Sequence, residues 1–341
     1  MEQLSDYTSF RVGGPAQQIV SASTESEIIA AVEAADAVGK PILILGSGTN
    51  VLVSDAGFEG VVIQISSSEV ESEVDACSGA TLTIGAGEVW DSFVATTISR
   101  GYAGLETLSG IPGTVGAAPI QNIGAYGHEV SEFITRVRTY DRKEKRIRTF
   151  TNSECDFTYR SSRFKIERDR YVILDVGFQL RVGENTTPIL YAELAAALGI
   201  VVGEKAPVVS TRESTLQLRA NKGMLLNPLD HDSWSAGSFF TNPIVSAEIA
   251  AKLPPDAPRW VQEDGRVKTS AAWLMEHAGV HKGDIHSGAR ISTKHVLALT
   301  NSGSATAADI AALAREAKEK VLSIFGISLE PEVNLVGITI N

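Results

Sequence analysis

The sequence predicts an α+β fold in more than one domain, and three features predict it. In the first hundred residues an apolar strand repeatedly feeds a glycine turn and then a further element. Between 134 and 180 three β-rich segments follow one another as antiparallel strands. After residue 202 the chain turns polar and irregular before two helical patterns. The 341 residues suffice for two or three domains. A composition of 43% hydrophobic and 21% charged residues belongs to a chain that buries a sizeable core.

In chain order, "TESEIIAAVEAADAVGK" opens with Thr24 and Glu27 in capping-box spacing and continues as an amphipathic helix. "PILILGSGTNVLV" is a strand running into a Gly-Ser-Gly-Thr-Asn turn, and "GVVIQI" is another strand. "ATLTIGAGEVWDSFVATTISRGY" reads as strand, turn and a helix beginning near Val89. "ITRVRTYD", "KRIRTF" and "RYVILDVGFQL" are the antiparallel strands, arranged around "CDFTYRSSRFK". A helix is predicted near 210–220. "VKTSAAWLMEHAG" and "TAADIAALAREAKEKVLSIFG" are predicted helices, "HVLALTN" a strand between them, and "SLEPEVNLVGI" a final strand. Pattern alone does not order the strands within their sheets.

A net charge of −11 and a pI near 5.1 argue against nucleic-acid and anionic-membrane partners. An anionic ligand would require arginines and lysines gathered at its site. Cys77 and Cys155 have no metal-type spacing and read as free thiols of a reducing cytoplasm. The N-terminus lacks a basic, apolar leader pattern, and no stretch approaches the roughly 20 apolar residues of a membrane span. His277, His281 and His286 cluster without the accompanying ligands of a zinc site.

Six stretches, two of them overlapping, could carry chemistry. "ILGSGTNVL" (44–52) and "GIPGTVGAA" (110–118) are glycine turns that could cradle a phosphate through backbone N–H groups, or simply be tight turns. Neither is a Rossmann or P-loop pattern, and together they suit a pyrophosphate and a ring edge. Gly113 and Gly116 would let backbone approach that ligand. Residues 104–130 are glycine-rich with little charge, a wall suited to something large and flat. "TYRSSRFK" (158–165) gathers Arg160, Arg163 and Lys165, either a solvated basic turn or a carboxylate grip. "LEPEVNL" (329–335) places Glu330 and Glu332 on one face of an apolar strand. "AGSFFTNP" (236–243) sets Ser238 between Gly237 and two phenylalanines, as a turn or cap residue or as a reacting hydroxyl.

Taken together, "SFRVGGPA", "ILGSGTNVLVSDAGFEGVVI", "GLETLSGIPGTVGAAPIQNIGAYG", "YRSSRFK", "AGSFFTNP" and "LEPEVNLVG", in that order, resemble the UDP-N-acetylenolpyruvoylglucosamine reductase family over nearly the whole chain. The resemblance implies an FAD-binding fold of the vanillyl-alcohol-oxidase type in two subdomains, 1–66 (completed by a C-terminal strand at 327–341) and 67–202. A substrate-binding α+β domain at 203–326 follows. It implies non-covalent FAD, NADPH as hydride donor, and a UDP-sugar substrate reduced at a carbon–carbon double bond in peptidoglycan precursor synthesis. The protein would be a cytoplasmic monomer.

Residue by residue, Arg160 matches the arginine for the substrate carboxylate, Ser238 the proton donor and Glu332 the catalytic glutamate, acting protonated or through a shared proton. The FAD contacts would come from Gly46, Ser47, Gly48, Thr49, Asn50, Gly113, Thr114, Gly116, Ala117, Gln121, Asn122, Gly124 and Ala125. Tyr126, Tyr191 (of the form with an extra tyrosine loop), Lys222 and Asn242 would meet the UDP-sugar. Asn334 stands where some members carry a basic residue. Two other readings are a flavin oxidase of the same cofactor fold, which would lack the Ser238/Arg160/Glu332 set, and a nucleotide-binding module without turnover.

Overall fold

The computed structural model describes residues 1–75 and 79–341, so Cys77 lies outside the described residues. The chain forms two compact units, one of Gln17–Ser47 and Glu59–Leu225, the other of Met1–Ala16, Gly48–Phe58 and Leu226–Asn341.

The first unit holds two sheets. The smaller orders its strands Ala16–Ala22, Phe58–Ile65, Ile42–Leu45. Phe58–Ile65 is central and pairs in parallel with Ile42–Leu45, so a nearly continuous apolar run suits it. The helix Glu25–Ala37 begins at the predicted box: Thr24 Oγ1 accepts from the Glu27 N–H, and Glu27 accepts from the Thr24 N–H. It buries Ile28, Val32 and Ala35, one stripe of the helix. The larger sheet runs Arg146–Thr151, Ile134–Asp141, Tyr171–Val182, Gly79–Gly85, Val70–Asp75, with Tyr102–Ala103 also on Tyr171–Val182. Its recorded pairings are antiparallel, as the sequence predicts for the three segments between 134 and 182. Trp90–Ser99 follows its turn directly, and Trp90, Phe93 and Phe178 pack together in the core. Cys155 is a buried free thiol, and burial pushes its pKa up to about 12.

The second unit centres on the 19-residue helix Ala307–Phe325. Its stripe of Ala307, Ile310, Ala311, Ala314, Ala317 and Val321 lies in a core with Phe10, Phe239 and Phe240. Its N-terminus is closed twice, by the Thr306/Asp309 capping box and by Asp55, whose carboxylate accepts from the N–H groups of Ala307 and Ala308 at 2.8 and 2.9 Å. The unit also holds two three-stranded sheets, the second of which packs against this helix. One orders Ile244–Val245, Val267–Thr269, Arg259–Val261; the other orders Ile285–His286, Ala289–Ile291, Leu299–Asn301.

Three predicted elements are shorter than expected. Ser270 accepts from the Trp273 N–H and starts a helix at Ala271, which leaves Val267–Thr269 as a strand. In "HVLALTN" the Ala298 N–H turns back to His295, so only Leu299–Asn301 is strand. The final strand is Asn334–Val336, paired in parallel with Val51–Val53. Pro331 has no N–H for a ladder, and the segment before Asn334 is held by one bridge between Phe240 and Pro331. Glu330 and Glu332 therefore do not share a strand face, and Glu330 is exposed.

Candidate functional site

Ser238 follows Gly237, whose φ of +72° turns the chain left-handed, a conformation in which glycine is favoured. The turn is tied at both ends. The Gly237 N–H donates to Ser235 Oγ at 3.1 Å, and the Phe239 N–H donates to the Leu297 carbonyl at 2.8 Å. Phe239 and Phe240 are fully buried and meet edge-on, and Phe239 meets Phe10 in the same way. The half-buried Ser238 hydroxyl caps no helix, and among the described residues it has no protein hydrogen-bond partner. Ser235 and Ser233 do the capping and turn work in this stretch.

Glu332 is brought beside that turn by backbone. Its N–H donates to the Phe239 carbonyl at 2.8 Å, and the Thr241 N–H donates to the Glu330 carbonyl at 3.0 Å. Asn50 holds the other side: its Nδ2 donates to the Glu332 carbonyl at 3.3 Å. Its own carbonyl accepts from both the N–H and the Nδ2 of Asn334, each at 3.1 Å. The Asn50 side-chain amide is thus used on the glutamate's segment. The Asn242 side-chain carbonyl accepts from the Ala271 N–H at the start of the Ala271–His277 helix at 2.9 Å.

Arg160 lies in the other unit, on a tight turn where Thr158 and Ser161 exchange backbone hydrogen bonds at 3.0 and 3.1 Å. Its φ is +53°, and Asn122 (+46°) and Tyr126 (+50°) share that left-handed geometry; such strain in non-glycine residues collects at functional sites. The Arg160 guanidinium donates to the carbonyls of Gly124 (Nη2, 2.7 Å) and Asn122 (Nη1, 3.4 Å), and lies over the Tyr159 ring. Lys165 Nζ donates to the Arg160 carbonyl at 2.9 Å. Arg163 pairs instead with Asp156 and Glu167. The basic cluster therefore divides into one arginine aimed at 122–124, a lysine that holds its backbone, and a structural ion pair.

Tyr126, Tyr191 and Lys222 come together as a third group. The two rings meet edge-on at 5.4 Å between centroids, and Lys222 Nζ sits 5.8 Å from the Tyr126 centroid while pairing with Glu193 at 2.6 Å. Burial pushes the Tyr126 hydroxyl up to about 12. The buried Arg219 donates to the Gly110 carbonyl at 3.0 Å, and burial lowers its pKa to about 10, still a cation at neutral pH. Sequence reasoning passed over Arg219 and Glu193. Arg219 had a signal, since it falls on the buried stripe Val208, Thr211, Thr215, Arg219 of the helix Val208–Asn221.

The glycine turns are shaped first by the protein itself. A Cβ on Gly46 would stand 2.5 Å from Thr114 Oγ1, one on Gly116 would stand 2.5 Å from the Ala86 Cβ, and one on Gly48 would stand 1.8 Å from the Tyr7 carbonyl oxygen. Gly116 is thus required by chain packing against Ala86, and Gly113, with φ +139°, by its backbone conformation. Gly46 and Ser47 belong to one unit, and Gly48, Thr49 and Asn50 to the other. From Thr107 to Gly127 there is no charged side chain. Ile111, Pro112, Gly113, Gln121 and Ile123–Ala125 are half-exposed and Ala117 is exposed. This uncharged wall of backbone and small side chains suits a flat, neutral ring. Among the described residues no His, Cys, Asp and Glu group is arranged to hold a metal ion, and no helix is long and apolar enough to cross a membrane.

Residues 16–149 match the family described as FAD binding domain, and residues 227–336 match the family described as UDP-N-acetylenolpyruvoylglucosamine reductase, C-terminal domain. The UDP-N-acetylenolpyruvoylglucosamine reductase of Cutibacterium acnes is 53% identical, covering 99% of this chain and 90% of that protein. That of Streptomyces coelicolor is 47% identical, covering 99% and 90%. The crystal structure of the Thermus caldophilus reductase superposes with a TM-score of 0.67 at 24% identity, covering 98% of this chain and 97% of that one, a likeness of fold. With such identity along almost its whole length, the chain belongs to the UDP-N-acetylenolpyruvoylglucosamine reductase family.

Proposed function

We propose that Arg160, Ser238 and Glu332 meet the reacting group when this flavin reductase converts UDP-N-acetyl-enolpyruvoylglucosamine to UDP-N-acetylmuramate for peptidoglycan precursor synthesis. The reaction class, the NADPH donor and the FAD cofactor are those of the family. When bound, FAD would supply the hydride-transfer chemistry between NADPH and the terminal carbon of the enol ether. The backbone of 46–50 and the uncharged wall of 110–125 would hold it non-covalently. The observation that carries the residue assignment is the Ser238 hydroxyl: half-buried, without a protein partner among the described residues, and zipped by backbone to Glu332.

As the double bond is reduced, negative charge develops on the carbon beside the carboxylate and spreads into it. The Arg160 fork binds that carboxylate in two-point geometry and stabilises the charge. Glu332 supports the enolic form, protonated or through a shared proton. Ser238 delivers the proton to carbon; Phe239 and Phe240 keep water from its base. Lys222 exchanges Glu193 for a phosphate oxygen, Tyr126, Tyr191 and the Asn242 amide complete the sugar-nucleotide contacts, and the Tyr191 segment closes over them. This reading keeps a division into 1–66 with 327–341, 67–202 and 203–326, and a cytoplasmic monomer without nucleic-acid or membrane partners. The net charge of −11 supports the last point.

Stopped-flow absorbance of the two half-reactions tests it. Ser238→Ala is expected to leave flavin reduction by NADPH within about twofold and to slow reoxidation by the enolpyruvyl substrate on the order of 10²–10⁴-fold. Equal slowing of both steps, or of neither, would return Ser238 to a packing role.

A further inference from the structure

Asn122 was expected at the cofactor, but its side chain is consumed by the protein. It is buried, 1% exposed, and sits between two loops. Its Oδ1 accepts from the Ser131 N–H at 3.1 Å. Its Nδ2 donates to Glu129 Oε2 at 2.7 Å and to the Thr158 carbonyl at 3.2 Å. The Ser131 N–H can only donate, and an ionised Glu129 carboxylate can only accept, so these two neighbours decide which way round the amide sits.

This joint governs the arginine. One arm holds the turn 158–161 that presents Arg160. The other holds the backbone of 122–124, whose two carbonyls receive the guanidinium. Glu129 reaches the second carbonyl by another route, because Gly124 pairs with Glu129 in a short antiparallel ladder. A Cβ at Gly124 would stand 3.0 Å from both Arg160 Nη1 and Glu129 Cγ, so the two side chains converge over that glycine. Glu129 is itself anchored, its N–H donating to Glu132 Oε1 at 2.7 Å.

We infer that Glu129 and Asn122 are positioning residues for Arg160: they set the plane of its guanidinium so that the fork meets the substrate carboxylate. This rests on the carboxylate role proposed above for Arg160. Misorientation of the amide would move both carbonyls and weaken substrate binding without touching the step in which NADPH reduces the flavin.

The experiment uses the FAD-loaded enzyme and reads KM and kcat for UDP-N-acetyl-enolpyruvoylglucosamine, the rate of flavin reduction by NADPH, flavin content and Tm. Glu129→Ala is expected to raise KM about tenfold or more with NADPH reduction within about twofold, and Glu129→Gln, which still offers an acceptor, to stay within about threefold of the parent. Asn122→Asp sets two carboxylates against each other, so its loss should ease on acidification as one takes up a proton. The swap Asn122→Asp with Glu129→Gln restores a donor–acceptor pair between 122 and 129 but leaves the Thr158 carbonyl without its donor, so it should recover KM in part. If Asn122→Asp does not fold, the contrast between Glu129→Ala and Glu129→Gln decides alone. Unchanged KM in Glu129→Ala, or equal loss in both half-reactions, overturns the inference while an impaired Arg160→Lys leaves the carboxylate grip standing. A normal Arg160→Lys overturns the grip itself.

Discussion

Around Arg160 the polar groups are committed to one another, whereas Ser238, in the other unit, carries a hydroxyl that no described protein group engages. The arginine region spends three left-handed non-glycine residues and a buried amide on geometry. The serine region spends a glycine turn and buried rings on placing the backbone, and leaves the side chain to rotate. On the roles proposed for Arg160 and Ser238, the difference follows from two tasks. A carboxylate must be met by donors at set positions, and preorganised donors cost no reorganisation during reaction. A proton donor must aim its hydrogen at a carbon that becomes basic only briefly, and a hydroxyl already donating to a protein acceptor would be occupied.

The stability of matched variants tests that contrast most strongly. Asn122→Ala is expected to cost about 3 kcal/mol, since it strands the Ser131 N–H and the Thr158 carbonyl and puts alanine where φ is +46°. Ser238→Ala should stay within about 0.5 kcal/mol of the parent. Urea unfolding of the two purified variants gives both values, and comparable losses would erase the distinction.

A smaller effect separates backbone from side chain within the serine region. Nothing lies within 4 Å of a Cβ placed on Gly237, so Gly237→Ala meets open space but bears a φ of +72°. About 1–2 kcal/mol of stability should be lost from backbone strain alone, and substrate-driven reoxidation should slow as Ser238 is displaced. Unfolding together with single-turnover rates checks both; reoxidation at the parent rate would show that the position of Ser238 is immaterial.

The smallest effect concerns the base of the arginine region. His128 Nδ1 meets Glu132 Oε2 at 2.8 Å, and its Nε2 lies 3.4 Å from Thr187 Oγ1. The hydrogen bond to Glu132 raises the His128 pKa above its ordinary 6.5, against the opposing effect of burial. For Glu132, burial pushes upward, but the bonds from His128 and the Glu129 N–H outweigh it and leave the carboxyl below its ordinary 4.5. A raised histidine contributes stability fully below about 6.5 and loses it as pH rises through the folded value. A lowered carboxyl contributes above about 4.5 and loses it as pH falls. The pair therefore helps most between those limits. With Glu132 44% exposed, His128→Gln should cost about 0.5 kcal/mol at pH 6 and less at pH 8. A Tm difference that does not shrink with rising pH would remove the ion pair from the account.

Legibility in the sequence followed range. The capping box at Thr24 and Glu27, the antiparallel segments of 134–182 and the helix after Val89 depend on neighbours within a few residues, and they form as predicted. The motifs around Arg160, Ser238 and Glu332 were legible as motifs, which is why family membership could be read from them. What their neighbours do was not. Asn50 and Asn122 both sit in stretches expected at the cofactor, and both spend their amides on the protein.

By itself the sequence determined the helices Glu25–Ala37, Trp90–Ser99 and Ala307–Phe325 and the antiparallel strands Ile134–Asp141, Arg146–Thr151 and Tyr171–Val182, because caps and periodicity act locally. It also determined which chemistry the chain can host. Only the tertiary structure decided that Asn50 grips the backbone of Glu332, 282 residues away, that Val51–Val53 pairs with Asn334–Val336, and that Gly116 is small because Ala86 lies against it. Those contacts join segments whose separation carries no local pattern. A hydrogen bond between them exists only once packing has brought its donor to within about 3 Å of its acceptor.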